Sequence, residues 1–586
     1  MTRLRWLTAG ESHGPALTGI LDGLPAGLPL LAEHLARDLQ RRKAGYGRGG
    51  RMKIEPEEPR ILSGVRHGLT LGTPLAVLIE NADHLKAWAS RMAVAPLPEG
   101  SDPAARGKDV TLPRPGHADA VGSIKFGHRD LRNSLERASA RETAMRVALG
   151  AVARRLLEEL DVTVGSFVAS IGHAHARDVL ELDPALRELA QEDAGALALR
   201  ADASPIRCLD PEADAKLCAV VDEARGRRDT VGGTFEVRAT GLVPGLGSYT
   251  QRDLKLDGLL AQAVACIHAI KAVEIGDGWR GGELFGSQVH DAIDRAGAAL
   301  ARPTNRAGGL EGGVTNGEPL VVRAAMKPIA TVPAALRSVD LRTGAPDSAH
   351  VERSDTCAVP AAAVVGEAMV ALALAEALLV KLGGDSLAEL HAAHRLAWRR
   401  ARLLEGHVFL CGLPGAGKST VAPLLAAQLG LPHADVDEEI VRGEGRSVAE
   451  IFAREGEAAF RAREAAAVRA LAQGPRRVIA LGGGALGSRA VRLWVRRTGH
   501  LLWLSAPLDV CVQRAAQGGA ARPLLEGDAA ARIAELARAR EPLYGRLADA
   551  RIEARLSAEQ VAELSASAVR SLEAERAHAA PPGEER

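Results

Sequence analysis

Apolar and polar positions divide the chain into two unlike parts. Up to about residue 380, short apolar runs are separated by glycine clusters such as GYGRGG (45–50), GLVPGLGS (241–248) and AGGLEGGVTNGE (307–318). That punctuation predicts turns and close backbone approaches within an α+β domain. The most apolar long run, AAAVVGEAMVALALAEALLV (361–380), is interrupted by Glu367 and Glu376. Two carboxylates in hydrocarbon would be expensive, so the run predicts a buried helix. A helical period follows: Ser386 is the predicted N-cap, and Leu387, Leu390, His394 and Trp398 recur at helical spacing. HVFLCGL (407–413) then reads as a buried parallel strand and STVAPLLAAQLG (419–430) as a helix. The expected division is a first domain over 1–398, a linker over 399–405, a second domain over 406–570, and a charged, proline-containing tail over 571–586 that predicts disorder.

Composition adds limits. A length of 586 residues allows two to four domains. Lys+Arg 74 against Asp+Glu 73 leaves a net charge of +1, which removes the main argument for a nucleic-acid surface, so any anion site must be local. The six cysteines are scattered without a C-x-x-C pair, as suits a reducing cytosol. MTRLRWLTAGESHG lacks the long apolar core of a secretory leader. The expectation is a cytoplasmic protein with neither a nucleic-acid nor a membrane partner.

Chemistry in the second part begins with GLPGAGKST (412–420), set between the predicted strand and helix. In such a loop the backbone from Gly415, Ala416 and Gly417 to Thr420 cradles phosphates. Lys418 reaches the β/γ-phosphates, and the Ser419 hydroxyl ligates Mg²⁺. HADVDEEI places Asp435 and Asp437 two apart, which in a strand end would point both carboxylates toward the phosphates. Arg461, Arg522 and Arg540 are candidates for a carboxylate substrate and for the transferring phosphate. With GRSVAEIFAREGEAAFRARE, LGGGA, RPLL and REPLY following in order, residues 405–565 resemble shikimate kinase. The resemblance implies an α/β P-loop kinase fold with a parallel sheet and a lid, acting on shikimate with ATP. It implies that Asp435 supports Mg²⁺, that Asp437, Arg461, Gly483 and Arg540 hold shikimate, and that Arg522 lies in the lid.

The first part carries a basic glycine-rich segment, RRKAGYGRGGRMK (41–53), which suits a polyanion. Only one aromatic, Tyr46, is interleaved, which argues against an RNA contact. His13 and His117 sit in glycine-bounded turns where a ligand can approach closely, and histidine exchanges protons near neutrality. Arg137, Ser139 and Arg141 precede an apolar helical repeat, so they should lie near a helix N-terminus, a favourable place for phosphate. Physical chemistry alone reaches a domain that binds phosphorylated anions and uses histidine acid catalysis.

GESHGPALTGILDGLPAGLPL, GYGRGGRMKIE, RPGHADAVGSIKFG, RNSLERASARETAMRVA, EIGDG, GGLEGGVTNG and MKPIATV together resemble chorismate synthase over nearly all of 1–395. The resemblance implies a β-α-β sandwich, a homotetramer through this domain, and conversion of 5-enolpyruvylshikimate 3-phosphate to chorismate with reduced FMN. It implies that His13 protonates the departing phosphate, that His117 sets the protonation of reduced FMN, and that Ser12 and Asp355 form a relay. FMN contacts implied are Arg137, Ala138, Ser139, Gly312, Lys327, Pro328, Ile329, Ala330, Thr331 and Arg353. Arg42 and Arg48 match positions used for the phosphorylated substrate or for a nicotinamide nucleotide such as NADPH. IHAIKAVE departs from the family's common pattern by placing His268 and Ala272 where Asn and Gly are usual; His268 and Ala269 are retained as FMN contacts. The expectation is a bifunctional shikimate-pathway enzyme. The alternative is an inactive oligomerisation or RNA-binding scaffold joined to an active kinase.

Overall fold

The computed structural model describes residues 3–49, 57–96, 99–100, 107–296, 299–402, 404–517 and 528–578. They form two compact units, one of residues up to 290 with 305–390, the other of 291–304 with 391 onward.

The first unit is a sandwich of sheet, helix layer and sheet. Strands β1 (Arg5–Ala9), β2 (Ala16–Asp22), β3 (Pro59–Ser63) and β4 (Leu75–Glu80) pair antiparallel in the order β1-β2-β4-β3. The second sheet, β5 (Thr163–Ile171), β6 (Ala174–His175), β7 (Gly233–Thr240), β8 (Ile270–Ile275) and β9 (Leu320–Met326), is also antiparallel, in the order β8-β9-β7-β5-β6. Between them lie helices α1 (Ala32–Lys43), α3 (Thr143–Glu159) and α5 (Val359–Leu382); the shorter α2 (Asp119–Phe126) and α4 (Leu256–Ala265) complete the labels used below. α3 meets the first sheet and α5 the second.

The run read as a buried helix is α5. It is long and apolar enough to cross a membrane, but 83% of its apolar window is buried within the protein, as a core helix would be. Helices α3 and α5 cross closely because Gly150 faces Ala368: a Cβ at 150 would lie 2.3 Å from the Ala368 Cβ. Glu367 is fully buried and accepts from Arg41 (2.6 and 2.9 Å), Arg207 (3.2 Å), Ser166 Oγ (2.7 Å) and Arg154. Asp38 and Asp202 pair with the same arginines, so the buried charges balance. Glu376 accepts the backbone N–H groups of Arg3 and Leu4, fixing the entry to β1.

The second unit is an α/β layer structure. Strands β10 (His407–Cys411), β11 (His433–Asp435), β12 (Val478–Ala480), β13 (Gly499–Ser505) and β14 (Ala550–Glu553) are parallel, in the order β11-β12-β10-β13-β14. All five residues of β10 are buried, as befits a strand covered on both faces. The helices are α6 (Leu387–Ala401), α7 (Lys418–Leu429), α8 (Val436–Glu444), α9 (Val448–Gln473), α10 (Arg489–Thr498), α11 (Leu508–Gln517), α12 (Ala529–Leu547) and α13 (Ala558–His578).

Two boundaries shift. Ser386 caps α6 as expected, its Oγ accepting the Glu389 N–H. Yet residues 391–401 group with the second unit rather than with a first domain ending at 398. Trp398 is buried, Arg395 donates to the Arg546 carbonyl, and Arg402 to the carbonyls of Arg496 and Gly499. At the other end, α13 runs to His578, so 571–578 are helical rather than a disordered tail. The remaining residues, 579–586, lie outside the described ones, as do 50–53 of the basic segment and Arg522 with the surrounding lid sequence.

Candidate functional site

In the first unit the chain leaves β1 through Gly10 (φ +105), where a Cβ would lie 2.3 Å from the Ala16 carbonyl oxygen. That turn carries Ser12 and His13 onto residues 136–139. The Ser12 N–H donates to the Glu136 carbonyl (3.0 Å) and the His13 N–H to Glu136 Oε2 (2.9 Å). His13 Nδ1 lies 2.9 and 3.0 Å from the two Glu136 oxygens, and its ring stacks on Trp88 at 3.9 Å. Burial opposes ionisation of Glu136, but His13 and Arg132 hold its pKa below the ordinary value. Ser139 Oγ donates to Ser12 Oγ (3.2 Å), and Arg137 donates to the carbonyls of Thr8 (2.8 Å) and Gly10 (3.1 Å). Ala138 lies between them, its N–H on the Ser134 carbonyl.

His117 precedes α2, and its Nδ1 is 2.6 Å from Asp119 Oδ1. Asp119 is fully buried and also accepts from Arg114 Nε (2.8 Å) and Nη2 (3.0 Å). Against the cost of burial, His117 and Arg114 hold Asp119 well below the usual carboxylate range. Arg114 Nη1 reaches Thr331 Oγ1 (2.7 Å), while Lys327 Nζ donates to the Gly116 carbonyl (2.5 Å). The segment Lys327, Pro328, Ile329, Ala330, Thr331, which follows β9, therefore closes over the His117 turn. Ser354 Oγ donates to the Thr331 carbonyl, and Asp355 accepts from Arg48 Nη1 (2.5 Å) and the Gly49 N–H (2.6 Å).

His268 follows α4. Its Nδ1 is enclosed with no hydrogen-bond partner among the described residues. Burial lowers its pKa, and the charges of Glu142, Arg146, His117 and Arg137 all act on it. Ala269 is held at φ +67, an unfavourable conformation for a residue with a Cβ, and its carbonyl accepts the Lys327 N–H (2.9 Å). The contacts form two groups, one of Ser12, His13, Arg137, Ala138 and Ser139, the other of His117, Ala269, residues 327–331, Asp355 and Arg48. Arg353, close to Asp355 in the chain, is exposed. Gly312 sits in a hairpin turn near Tyr249, and among the described residues no hydrogen bond joins it to either group.

Two arginines turn the other way from the sequence expectation. Arg42 is 3% exposed and Arg141 5%. Both donate to the buried Glu57 at 2.5 Å, Arg42 also to Thr143 Oγ1 and Arg141 to Asn81. A buried carboxylate between them holds both inside the unit.

The second unit builds its site around the end of β10. Gly415 (φ +83) is required where a Cβ would meet the Cys511 carbonyl oxygen at 2.2 Å. Gly417 caps α7, so the loop runs directly into a helix N-terminus, the end whose dipole favours an anion. Lys418 Nζ lies on the carbonyls of Gly412 (3.0 Å) and Leu413 (3.2 Å). Ser419 Oγ donates to Asp435 Oδ2 (2.6 Å), which brings two hard oxygen ligands together. Asp437 is not in the strand: β11 ends at Asp435, which caps α8 by accepting the Asp437 N–H (3.0 Å). The side chain of an N-cap competes for that N–H, and this converts the expected alternation into a helical first turn.

Facing these carboxylates is the turn Gly482–Gly484. Arg540 Nη1 (2.8 Å) and Tyr544 Oη (2.6 Å) donate to the Gly483 carbonyl. Arg461 pairs with Glu457 (2.9 Å) and with the buried Glu464 (2.7 Å). Glu464 and Tyr544 were not singled out from the sequence. Burial pushes the Glu464 carboxyl up, with Arg461 opposing, and its Oε1 has no hydrogen-bond partner among the described residues. Ala416 and Thr420 complete the loop, the Thr420 N–H on the Gly417 carbonyl.

Comparison with known proteins agrees with both halves. The family model "Chorismate synthase" matches residues 4–379 and "Shikimate kinase" matches 414–570. The chorismate synthase of Rubrobacter xylanophilus is 54% identical over 401 residues, covering 68% of this chain and 98% of that protein. That of Thermobifida fusca is 53% identical over 388 residues, covering 66% and 96%. A solved chorismate synthase crystal structure is 41% identical with a TM-score of 0.54, covering 69% of this chain and 99% of that one.

Proposed function

We propose, from the premise that this chain belongs to the chorismate synthase family and carries a shikimate kinase joined behind it, which ligands its two sites handle. The first converts 5-enolpyruvylshikimate 3-phosphate to chorismate and phosphate; the second transfers phosphate from ATP to shikimate. The observation that carries this reading is that each unit assembles its own group set. One holds two histidines on buried carboxylates beside Lys327, the other a glycine loop facing Asp435, Asp437, Arg461 and Arg540.

Reduced FMN fits the first site: the enclosed His268 Nδ1 suits a polar ring edge, and Lys327, Arg137 and Arg353 suit an anionic group. When bound, it supplies transient electron density for an elimination without net redox change. His13 gives a proton to the departing phosphate. His117, held by Asp119 and Arg114, would set the protonation of the bound cofactor. In this reading Ser12 and Asp355 serve as a relay, and Arg48 meets the phosphorylated substrate or a nicotinamide nucleotide such as NADPH.

In the second site Lys418 leaves the loop carbonyls for the transferring phosphate, and Ser419 and Asp435 hold Mg²⁺. Asp437 orients the shikimate hydroxyl, while Arg461, Arg540 and the Gly483 turn hold its carboxylate and remaining hydroxyls. Arg522 closes the lid, excluding water. The protein works in the cytoplasm as a homotetramer through its first unit, with no nucleic-acid or membrane partner. An enolpyruvyl transfer separates the two reactions, so the reading includes no direct handover.

The test pairs two point variants. Chorismate formation is followed anaerobically with photoreduced FMN, and phosphorylation with ATP, Mg²⁺ and shikimate. His117→Ala should remove only the first activity and Lys418→Ala only the second. Either variant abolishing both while folded defeats the two-site reading. A first unit that is an inactive scaffold would show no tightening of FMN binding by the enolpyruvyl substrate.

A further inference from the structure

Glu136 holds His13 in a manner that goes beyond anchoring a turn. It is 1% exposed and makes two different kinds of contact with one residue: its Oε2 accepts the His13 backbone N–H, and its carboxylate faces ring Nδ1 at 2.9 and 3.0 Å. An ionised carboxylate only accepts, so Nδ1 carries the hydrogen and Nε2 is the ring nitrogen left for proton transfer. The ring plane is fixed as well, because Trp88 stacks on it with 19° between planes. Arg132 supports both partners: its Nη1 donates to Glu136 Oε1 (2.9 Å), and its guanidinium lies 5.0 Å from the Trp88 ring centre. Arg132 also reaches Glu352 (3.4 Å), whose other neighbour is His350 (2.9 Å). The charge beside His13 is thus tied into a row of alternating sign, in surroundings where such interactions are strong.

We infer that Glu136 is a positioning residue for His13, setting its tautomer and ring orientation so that Nε2 is the nitrogen that gives up the proton. The inference rests on the proposed elimination. In that step the C–O bond to phosphate breaks with its electron pair leaving on oxygen, the pair of the breaking ring C–H bond becomes the new ring double bond, and that hydrogen is released as a proton to solvent water. His13 Nε2 gives one proton to the phosphate oxygen, and the imidazole remains neutral with Nδ1–H still on Glu136.

Glu136→Gln keeps the volume and an acceptor but removes the charge. In the full chain with reduced FMN, kcat for chorismate formation should fall about 10²-fold, the usual scale for general acid catalysis. KM for the enolpyruvyl substrate and FMN affinity should stay within about twofold of the parent. Glu136→Asp should recover part of the rate. Added to His13→Ala, Glu136→Gln should cost nothing further, since both remove one function. A parent-like kcat, or additive losses in the double variant, overturns the inference.

A second measurement does not depend on turnover. Long-range ¹⁵N–¹H spectra of histidine-labelled protein, with the His13 signals identified by their loss in His13→Ala, should show an Nδ1-protonated ring that changes state in Glu136→Gln. A ring protonated at Nε2 but not at Nδ1 in the parent overturns the inference whether or not chorismate is formed. A correct tautomer in a chain that makes no chorismate overturns only the proposed reaction.

Discussion

In the kinase site Gly484 lies directly against the Arg461 guanidinium, and this gives a sharp test of substrate recognition. A Cβ added at Gly484 would lie 2.3 Å from Nη2, 2.6 Å from Cζ and 2.7 Å from Nη1 of Arg461. Favourable contact begins near ~3.5 Å, so the guanidinium must move by about 1 Å. The backbone does not object, since Gly484 sits at φ −106, ψ −5, which alanine adopts. Gly484→Ala therefore displaces one side-chain end while leaving the turn in place. A hydrogen bond to a charged group contributes about 1.5–3 kcal/mol, which corresponds to roughly ten- to 150-fold in kcat/KM for shikimate. KM for ATP should not change, because Gly484 is outside the phosphate loop. Steady-state phosphorylation assays varying each substrate separate the two effects, with Gly487→Ala as control, where nothing lies within 4 Å of the new Cβ. An unchanged kcat/KM for shikimate would remove Arg461 from substrate recognition. Equal losses for shikimate and ATP would mean that the turn itself collapses.

Glu367→Gln should cost the first unit about 3–5 kcal/mol in urea unfolding, because three buried arginines lose one of their three balancing carboxylates. Despite the cost of burial, Arg41 and Arg154 hold the Glu367 pKa far below the ordinary glutamate range. Its contribution is accordingly complete above that range and lost as pH falls, and the Gln variant should lack this part of the acid dependence. Trp398→Ala should destabilise the second unit by about 3–5 kcal/mol, the usual cost of removing a buried aromatic, while chorismate formation persists; unfolding of the first unit instead would return residues 391–401 to it.

Much of the architecture was legible because its signals are local. The phosphate loop announced itself by spacing, and α5 by two carboxylates inside an apolar run. What the pattern missed was decided by distant contacts. The amphipathic period of α6 required a partner for Trp398 but could not name it; Trp398 lines a hollow of the second unit together with Leu547, Arg496 and Gly499. Likewise Arg42 and Arg141 belong to basic, glycine-rich or polar segments that look ready for phosphate. Only the fold reveals Glu57 buried between them. Asp435 and Asp437 failed as strand neighbours because an Asp at a strand end is also a strong helix cap, and capping won.

The same distinction separates the residues that hold the proposed chemical groups from the groups themselves. Asp119 follows His117 by two positions and Glu464 follows Arg461 by three, spacings at which a turn or helix brings side chains together. Both partners could have been proposed from the sequence by asking which nearby carboxylate each base or guanidinium would need once buried. Glu136 could not: it stands 123 residues from His13, and nothing in either motif connects them. Its position follows from the turn at Gly10, from Arg137 holding the carbonyls of Thr8 and Gly10, and from the short helix that presents residues 136–139 to that turn. A buried base and its distant carboxylate are therefore specified by the backbone path between sheet and helix layer. A substitution that disturbs that path, without touching either histidine, should alter the His13 tautomer before it alters ligand binding.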